Sequence, residues 1–555
     1  MTTVAAPTAT GPADRAVRPG ALPVARTLAG LGPMIRLVLR RNRVRLAVWW
    51  IALVGLLGYV GVYYRDLFDT QQALDEFAAV SDTPGIRALT GLAAAPDTLG
   101  GAVWTKIWMT LAVSLAFGVV FLVTRNGRAD EEAGRTELLR SRMLGQHAGS
   151  VATWLVTGAL AVAVGLGVAG VSVALGLDPA GADVTGSLVL GASVAGVGLV
   201  GVGVGAVAGQ VAGTSRGANA LASVVIGAAY VLRMVGDLGD GRLTWLSPIG
   251  WAQQMQPWGA DRWWPLLLLL GLTGALLVAA LRIEAVRDHG AGLLAPRRGA
   301  ADAPARWATP LGLALRLQRG PIIGWALTVA LAALLFGSVV ESMTDLIADA
   351  GGAAADLVRG TGVDALLALL VTMIALITTV FAVQSALTLR TDEATGILEP
   401  QLAGALSRTR WAVQRLAVPV LGSAVLLLLG GALMGAGYGT LIDDPAQTTR
   451  LALAALASWP AVLVYTGIAV ALFGWLPRLA VALSWGVLGA TYVIVLVGEA
   501  LHLPGWLLDV LPFSATPYLP AEPVSWSALT ALAVVGAGLV GAGLARFARR
   551  DVQPG

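Results

Sequence analysis

Two short polar segments hold most of the reactive side chains that this chain groups together. RADEEAGRTE runs from Arg128 to Glu137 and RTDEATGILE from Arg390 to Glu399. At a constant offset of 262 residues, Arg128 lies over Arg390, Asp130 over Asp392, Glu131 over Glu393, Gly134 over Gly396 and Glu137 over Glu399. Each segment opens with acids, and the first closes on Arg140 and Arg142. Acids near a helix start and bases near its end both favour the macrodipole, so the pattern predicts short helices over 130–142 and 392–402. Asp130 and Glu137 are seven residues apart, as are Asp392 and Glu399, which on one helix is two turns and a shared stripe. Such charges can serve only to fix the side of a membrane on which a loop lies. That role requires Lys or Arg, however, and not carboxylates at matched positions around a matched glycine. A docking helix for a protein partner accounts for the acids as well.

Other chemistry is poorly supplied. The chain has 555 residues, no cysteine and three histidines, so it builds no disulfide framework, iron–sulfur cluster, thiolate zinc site or cysteine nucleophile, and it offers little for metal binding. A phosphate-binding loop needs a lysine after glycine and before Ser or Thr, and Lys106 is the single lysine. It follows Thr105 and precedes Ile107, so no nucleotide site and no cofactor is expected in this chain.

The elements that must position the two segments are set by composition. With 56% hydrophobic residues, 13% charged residues and a mean hydropathy of +0.76, the chain excludes a water-soluble enzyme and a disordered polymer; its solvent is the bilayer. A helix crossing the hydrocarbon needs roughly 20 mostly apolar residues. Twelve such stretches occur, at residues 46–64, 103–124, 150–177, 187–212, 218–236, 264–282, 322–342, 365–389, 415–440, 451–474, 479–498 and 527–545. The first thirty residues, rich in Pro, Ala, Thr and Gly, read as a disordered cytosolic tail without a signal-peptide core. An even number of spans then places both termini in the cytoplasm of a multi-pass protein of the cell membrane. Most of the 37 basic residues fall on that side and most of the 33 acids on the other. The net charge of +4 is therefore sorted by membrane side, and no nucleic-acid partner is implied. Trp49, Trp50, Trp104, Trp263, Trp264, Trp411 and Trp526 lie near span ends and read as anchors at the headgroups. Gly165, Gly167, Gly170, Gly196, Gly198, Gly201, Gly203 and Gly205 read as sites of close helix approach.

The offset of 262 persists beyond the acidic segments, where Arg216 meets Arg478, Leu221 meets Leu483 and Tyr230 meets Tyr492. Two halves of six spans follow, in parallel orientation because six is even. The organisation is a tail over 1–30, a first transmembrane half over 31–282, a cytoplasmic linker and elbow helix over 283–320, a second half over 321–546 and a short tail over 547–555. Residues 31–45, with Arg36, Arg40, Arg41, Arg43 and Arg45, suit an interfacial elbow whose arginines face anionic headgroups. The segments 237–262 and 499–525 are too polar and proline-broken to span.

The pattern of two acids, any residue, Gly, two residues and Glu between the second and third of six spans resembles the coupling helix of type-2 ABC exporter permeases. LRRNRVRLAVWW before the first span, LSPIGWAQQMQPW after the fifth and LPFSATPYLP after the eleventh look like the actinobacterial antibiotic-exporter branch, the tetronasin-resistance type. The resemblance covers nearly all of the chain beyond residue 30. It implies an all-α polytopic membrane protein with twelve transmembrane helices in two parallel six-helix pseudo-repeats, short interfacial elbow and coupling helices, and short outer helices that cap the exit. It also implies that Asp130, Glu131, Glu132, Gly134 and Glu137, with Asp392, Glu393, Gly396 and Glu399, dock a separate ABC ATPase subunit. Two copies of that subunit would bind the ATP and Mg. The cargo would be a hydrophobic or amphiphilic small molecule such as an antibiotic or drug, with no cargo-contacting residue assignable. Ala394 stands where the first copy has Glu132, and Pro400 follows Glu399, so the two docking sites are expected to be unequal.

Two other classes compete. An ion-coupled drug antiporter would place ionisable groups within its spans. Here Arg233, Glu341 and Asp364 fall near outer ends, Arg415 near an inner end, and Glu499 with His502 just past the eleventh span. The loop Arg125-Asn126-Gly127-Arg128-Ala129-Asp130 also lacks the Gly, Asp, Arg, Gly, Arg, Arg cluster of the twelve-span facilitators. A membrane scaffold without transport is the remaining class.

Overall fold

Long apolar runs leave the backbone few ways to satisfy its own N–H and C=O groups in lipid, and the helix does so within one segment. The computed structural model describes residues 27–81, 87, 90–92, 94–140, 144–179, 183–288, 290–293, 302, 304, 307, 309–350, 362–404, 406–497 and 511–553. Every regular element among the described residues is helical. The chain forms two compact units, one ending at Arg298 and the other starting at Gly299. Among the described residues eleven helical stretches are long and apolar enough to cross a membrane. The position expected for the eleventh span carries a further helix, Ala480–Val497, with a shorter apolar stretch over Ala480–Tyr492.

In the first unit, α1 (Leu31–Leu67) leads through α2 (Gln71–Ser81) to α3 (Leu99–Asn126). Two one-turn helices follow, α4 (Arg128–Glu132) and α5 (Arg135–Arg140). Next come α6 (Ala148–Ala174), α7 (Thr185–Val211) and α8 (Ser215–Leu238). A 3-10 turn at Leu243–Leu246 and α9 (Pro248–Gln253) precede α10 (Trp264–Val286). Helix α3 is largely enclosed: Trp104 and Trp108 stack at 4.3 Å within it, and the Trp108 indole donates to Ser193 Oγ at 2.9 Å. Helices α6 and α7 approach backbone to backbone, since a Cβ added to Gly191 would lie 2.2 Å from the Gly165 carbonyl.

The second unit repeats the order. It holds α11 (Pro310–Ala350), α12 (Val363–Ala386), α13 (Thr388–Ala394), α14 (Leu398–Leu402) and α15 (Arg408–Leu441). They are followed by α16 (Ala446–Ala457), α17 (Trp459–Trp475), α18 (Ala480–Val497) and α19 (Trp526–Arg549). Its polar end is packed by aromatic rings, with Phe547 4.9 Å from Phe473 and 5.9 Å from Trp411.

Several expectations need correction. The elbow is not a separate element, because α1 runs unbroken for 37 residues and no proline interrupts it beyond its first turn. Its counterpart is likewise continuous with the seventh span in α11, which carries Pro321 inside. The tenth span is broken at Ser458, where Pro460 takes the first turn of α17. Trp104 and Trp411 are core residues, each 1% exposed, whereas Trp50, Trp263, Trp264 and Trp526 are exposed as anchors would be. Arg233 does not reach an interface: it is wholly buried, 3.3 Å from the Asp237 carboxylate and donating to the Arg87 carbonyl. Residues 27–30 are held, the Thr27 and Ala29 carbonyls accepting from the backbone amides of His147 and Gly145. The rest of the expected tail, the middle of the linker, Glu499, His502 and the Glu341 side chain lie outside the described residues.

Candidate functional site

Each acidic segment is two short helices and not one. The first breaks after Glu132 and the second after Ala394, and in both the matched glycine sits just beyond the break in the left-handed region, at φ +68 for Gly134 and φ +74 for Gly396. Only glycine enters that region without steric cost, which explains why the two copies share it. The turn also changes which carboxylates share a face. Asp130 and Glu137 do not lie on one stripe: Asp130 is buried and Glu137 exposed, and Asp392 and Glu399 divide the same way.

The first two acids of each motif point inward, each onto an arginine. Arg41 of α1 grips both Asp130 oxygens, and Arg135 donates to the same carboxylate at 2.7 Å. Glu131 receives Arg287 at 2.9 and 2.8 Å, Arg128 at 3.1 Å and the Gly290 backbone amide at 3.0 Å. In the second unit Asp392 pairs with Arg415 at 2.8 Å. Glu393 receives Arg550 at 2.6 and 2.8 Å, Arg390 at 3.3 Å and the Gln553 amide at 2.9 Å. Arg128 and Arg390 close the arrangement by donating to the carbonyls of Gly290 and Gln553, each at 2.8 Å. Buried carboxylates require this degree of pairing, since an ion taken out of water without partners would neutralise or unfold the segment.

The remaining acids face outward. Glu132 accepts from the Ser215 amide at 3.0 Å, at the start of α8, and is otherwise exposed. Glu137 and Glu399 are exposed in the short helices that follow each glycine, and no heavy atom lies within 4 Å of a Cβ placed on either Gly134 or Gly396. Of the residues expected to dock a partner, Glu132, Glu137 and Glu399 are exposed and Gly134 and Gly396 half-buried. Arg41, Arg287, Arg415 and Arg550 were not singled out by motif reasoning as partners of these acids. One signal was present for two of them: Arg287-Asp288 lies over Arg550-Asp551 at an offset of 263, one more than the offset that aligns the motifs.

The eleven apolar spans among the described residues, in two units of like element order that each present a short polar double helix after the second span, define a multi-pass helical membrane protein with an internal repeat. The sequence comparisons place it further. The family described as multidrug efflux system permease Rv1217c, C-terminal domain, matches residues 31–283 and 307–548, one stretch in each half. The multidrug efflux system permease protein Rv1217c of Mycobacterium tuberculosis is 37% identical over 529 residues, covering 94% of this chain and 95% of the relative. The chain belongs to this family of efflux permeases.

Proposed function

We propose that the chain is the membrane-spanning permease subunit of an ATP-driven exporter of hydrophobic or amphiphilic small molecules, of the type-2 ABC kind and its tetronasin-resistance-like branch. The observation that carries the reading is the duplicated segment that buries two acids and presents a third beyond a left-handed glycine. A loop needed only for topology has no use for that construction. The double helices lie on the cytoplasmic side with both termini, each receives one copy of a separate ATPase subunit, and ATP and Mg are bound and used in that subunit. The relative's description as a multidrug efflux permease supports drugs as the cargo class. Among the residues named for docking, Glu132, Glu137 and Glu399 meet the ATPase, while Asp130, Glu131, Asp392 and Glu393 hold the segments in shape.

The test is co-expression with ABC-type ATPases from the same genome, one at a time, followed by copurification and transport of a lipophilic dye in proteoliposomes. A complex should form, and Glu137→Arg and Glu399→Arg together should reduce ATPase capture by at least tenfold. Dye flux driven by an ion gradient in the lone chain would point to antiport. Absence of flux under every condition would point to scaffolding.

A further inference from the structure

The acidic segments touch several elements, but among the described residues only one attachment is built identically in both units. It is made by the residue at which the chain leaves the last long helix of the unit. Arg287 is the C-cap of α10 and Arg550 the C-cap of α19, and both are extended, with φ, ψ of −84, 149 and −91, 160. From that position each guanidinium forks onto the buried glutamate of the motif, Glu131 or Glu393. Three residues further on, the amide of Gly290 or Gln553 donates to the same glutamate, and its carbonyl accepts from the arginine that opens the motif. The result is a closed ring of hydrogen bonds between the polar segment and the end of one transmembrane helix, occurring twice with independent residues.

The other attachments differ. Asp130 is held by Arg41 of α1, whereas Asp392 is held by Arg415 of α15. A displacement of either segment is therefore shared with a different helix in each unit, but it reaches the last helix in both. Each last helix in turn lies along the fourth-span helix of its unit. Leu269 and Leu276 of α10 cover Gly196 and Gly203 of α7, and Gly543 of α19 meets the backbone of α17 at Val470 and Gly474. Forked arginine–carboxylate pairs fix orientation as well as distance, and burial removes the water that would let them slip.

We propose that Arg287 and Arg550 are positioning residues that pass the movement of the two docking segments to α10 and α19, so that ATP use in the partner is converted into rearrangement of the transport path. This rests on the reading given under Proposed function. The test uses the full chain with its ATPase in proteoliposomes, comparing wild type with Arg287→Gln, Arg550→Gln and Arg287→Lys. ATPase capture, ATP turnover and transport of rhodamine 6G are read on the same preparation. Each glutamine variant should capture the ATPase as wild type does and keep its ATP turnover within about twofold, while dye moved per ATP falls at least tenfold. Arg287→Lys, which keeps the charge but loses the fork, should fall by a smaller factor. Arg450→Gln, at an exposed ion pair with Asp364, should change neither quantity. Transport per ATP equal to wild type in both glutamine variants overturns the inference. So does a parallel loss of turnover and transport that tracks the amount of folded complex, because that is what a merely structural anchor would give. Failure of the wild-type chain to capture any ATPase would remove the reading beneath it, and is told apart by the wild-type arm alone.

Discussion

Removing Arg550 should loosen one end of the second unit by an amount that the geometry sets. Glu393 is 0% exposed and takes two hydrogen bonds from this guanidinium, at 2.6 and 2.8 Å. Arg550 also donates to the Phe473 carbonyl at 3.2 Å and lies 5.0 and 5.2 Å from the ring centres of Phe473 and Phe547. In Arg550→Met the rings keep an apolar neighbour, but the carboxylate retains only Arg390 at 3.3 Å and the Gln553 amide at 2.9 Å. Breaking a buried pair from one side costs about 3–5 kcal/mol, and the two surviving donors put this case near about 3 kcal/mol. At 1.4 kcal/mol per decade, local opening of 388–404 and 546–553 should become about a hundredfold more frequent. Hydrogen–deuterium exchange of those peptides in detergent micelles reads this directly, since the cost is local and global unfolding need not report it. In Glu393→Gln/Arg550→Met no bare charge remains, so the double variant should recover at least about 1 kcal/mol of that loss. Exchange in Arg550→Met that rises less than threefold, or a double variant that opens more readily than the single, would falsify the claim that the pair is held as a buried ionic clamp.

Two further outcomes test separate parts of the argument. Gly134→Val and Gly396→Val place a β-branched side chain at φ +68 and φ +74 with no neighbour within 4 Å, so the cost is backbone strain alone, about 1–2 kcal/mol. Exchange over 128–140 or 388–402 should rise several-fold, and Gly134→Asn, which tolerates this region, should recover much of it; equal effects of Asn and Val would contradict the backbone explanation. Asp364→Asn breaks the 2.6 Å pair with Arg450, whose side chains are 47% and 40% exposed, and should cost less than about 1 kcal/mol. A thermal shift of more than a few degrees in detergent would show that this exposed pair bears on folding after all.

Helix number and order were legible because lipid leaves so few options: a charge-free run of sufficient length is a helix, and the boundaries followed from Arg, Asp, Pro and Trp. What hydropathy does not encode is which face of a span meets protein. Trp104 and Trp411 stand at span ends exactly as lipid anchors do in a linear reading, and only the packing of α3 and α15 puts them inside. Its position near a span end makes Arg233 read as interfacial, yet the turn at Leu243–Leu246 and α9 fold back to bring Thr244 and Gln253 onto its partner Asp237. The repeat makes the acidic segments visible in the sequence, but not their inside and outside. A seven-residue spacing predicts a common stripe only if the helix continues, and the glycine that the repeat made visible is the residue that interrupts it.

The divergence of the two aspartates has a local cause that the structure makes readable in the sequence. Near the start of each unit a buried amide side chain marks the same place. Asn42 donates to Asn126 at the end of α3, and Gln318 is bonded to Ser385 at the end of α12 and to Thr388 at the start of α13. The residue before the amide is Arg41 in one case and Leu317 in the other. With Arg41, a cation on α1 reaches Asp130; with Leu317 in its place, Asp392 has none from that helix and takes Arg415 from α15 instead. One exchange of arginine for leucine thus reassigns an entire helix contact, while the glutamate beside each aspartate keeps its arginine at the end of the last helix. If force enters at the two segments, it leaves the first unit through α1 and α10 and the second through α15 and α19. The two halves share a single route, and for that reason Arg287 and Arg550 are better places to look for loss of coupling than either aspartate.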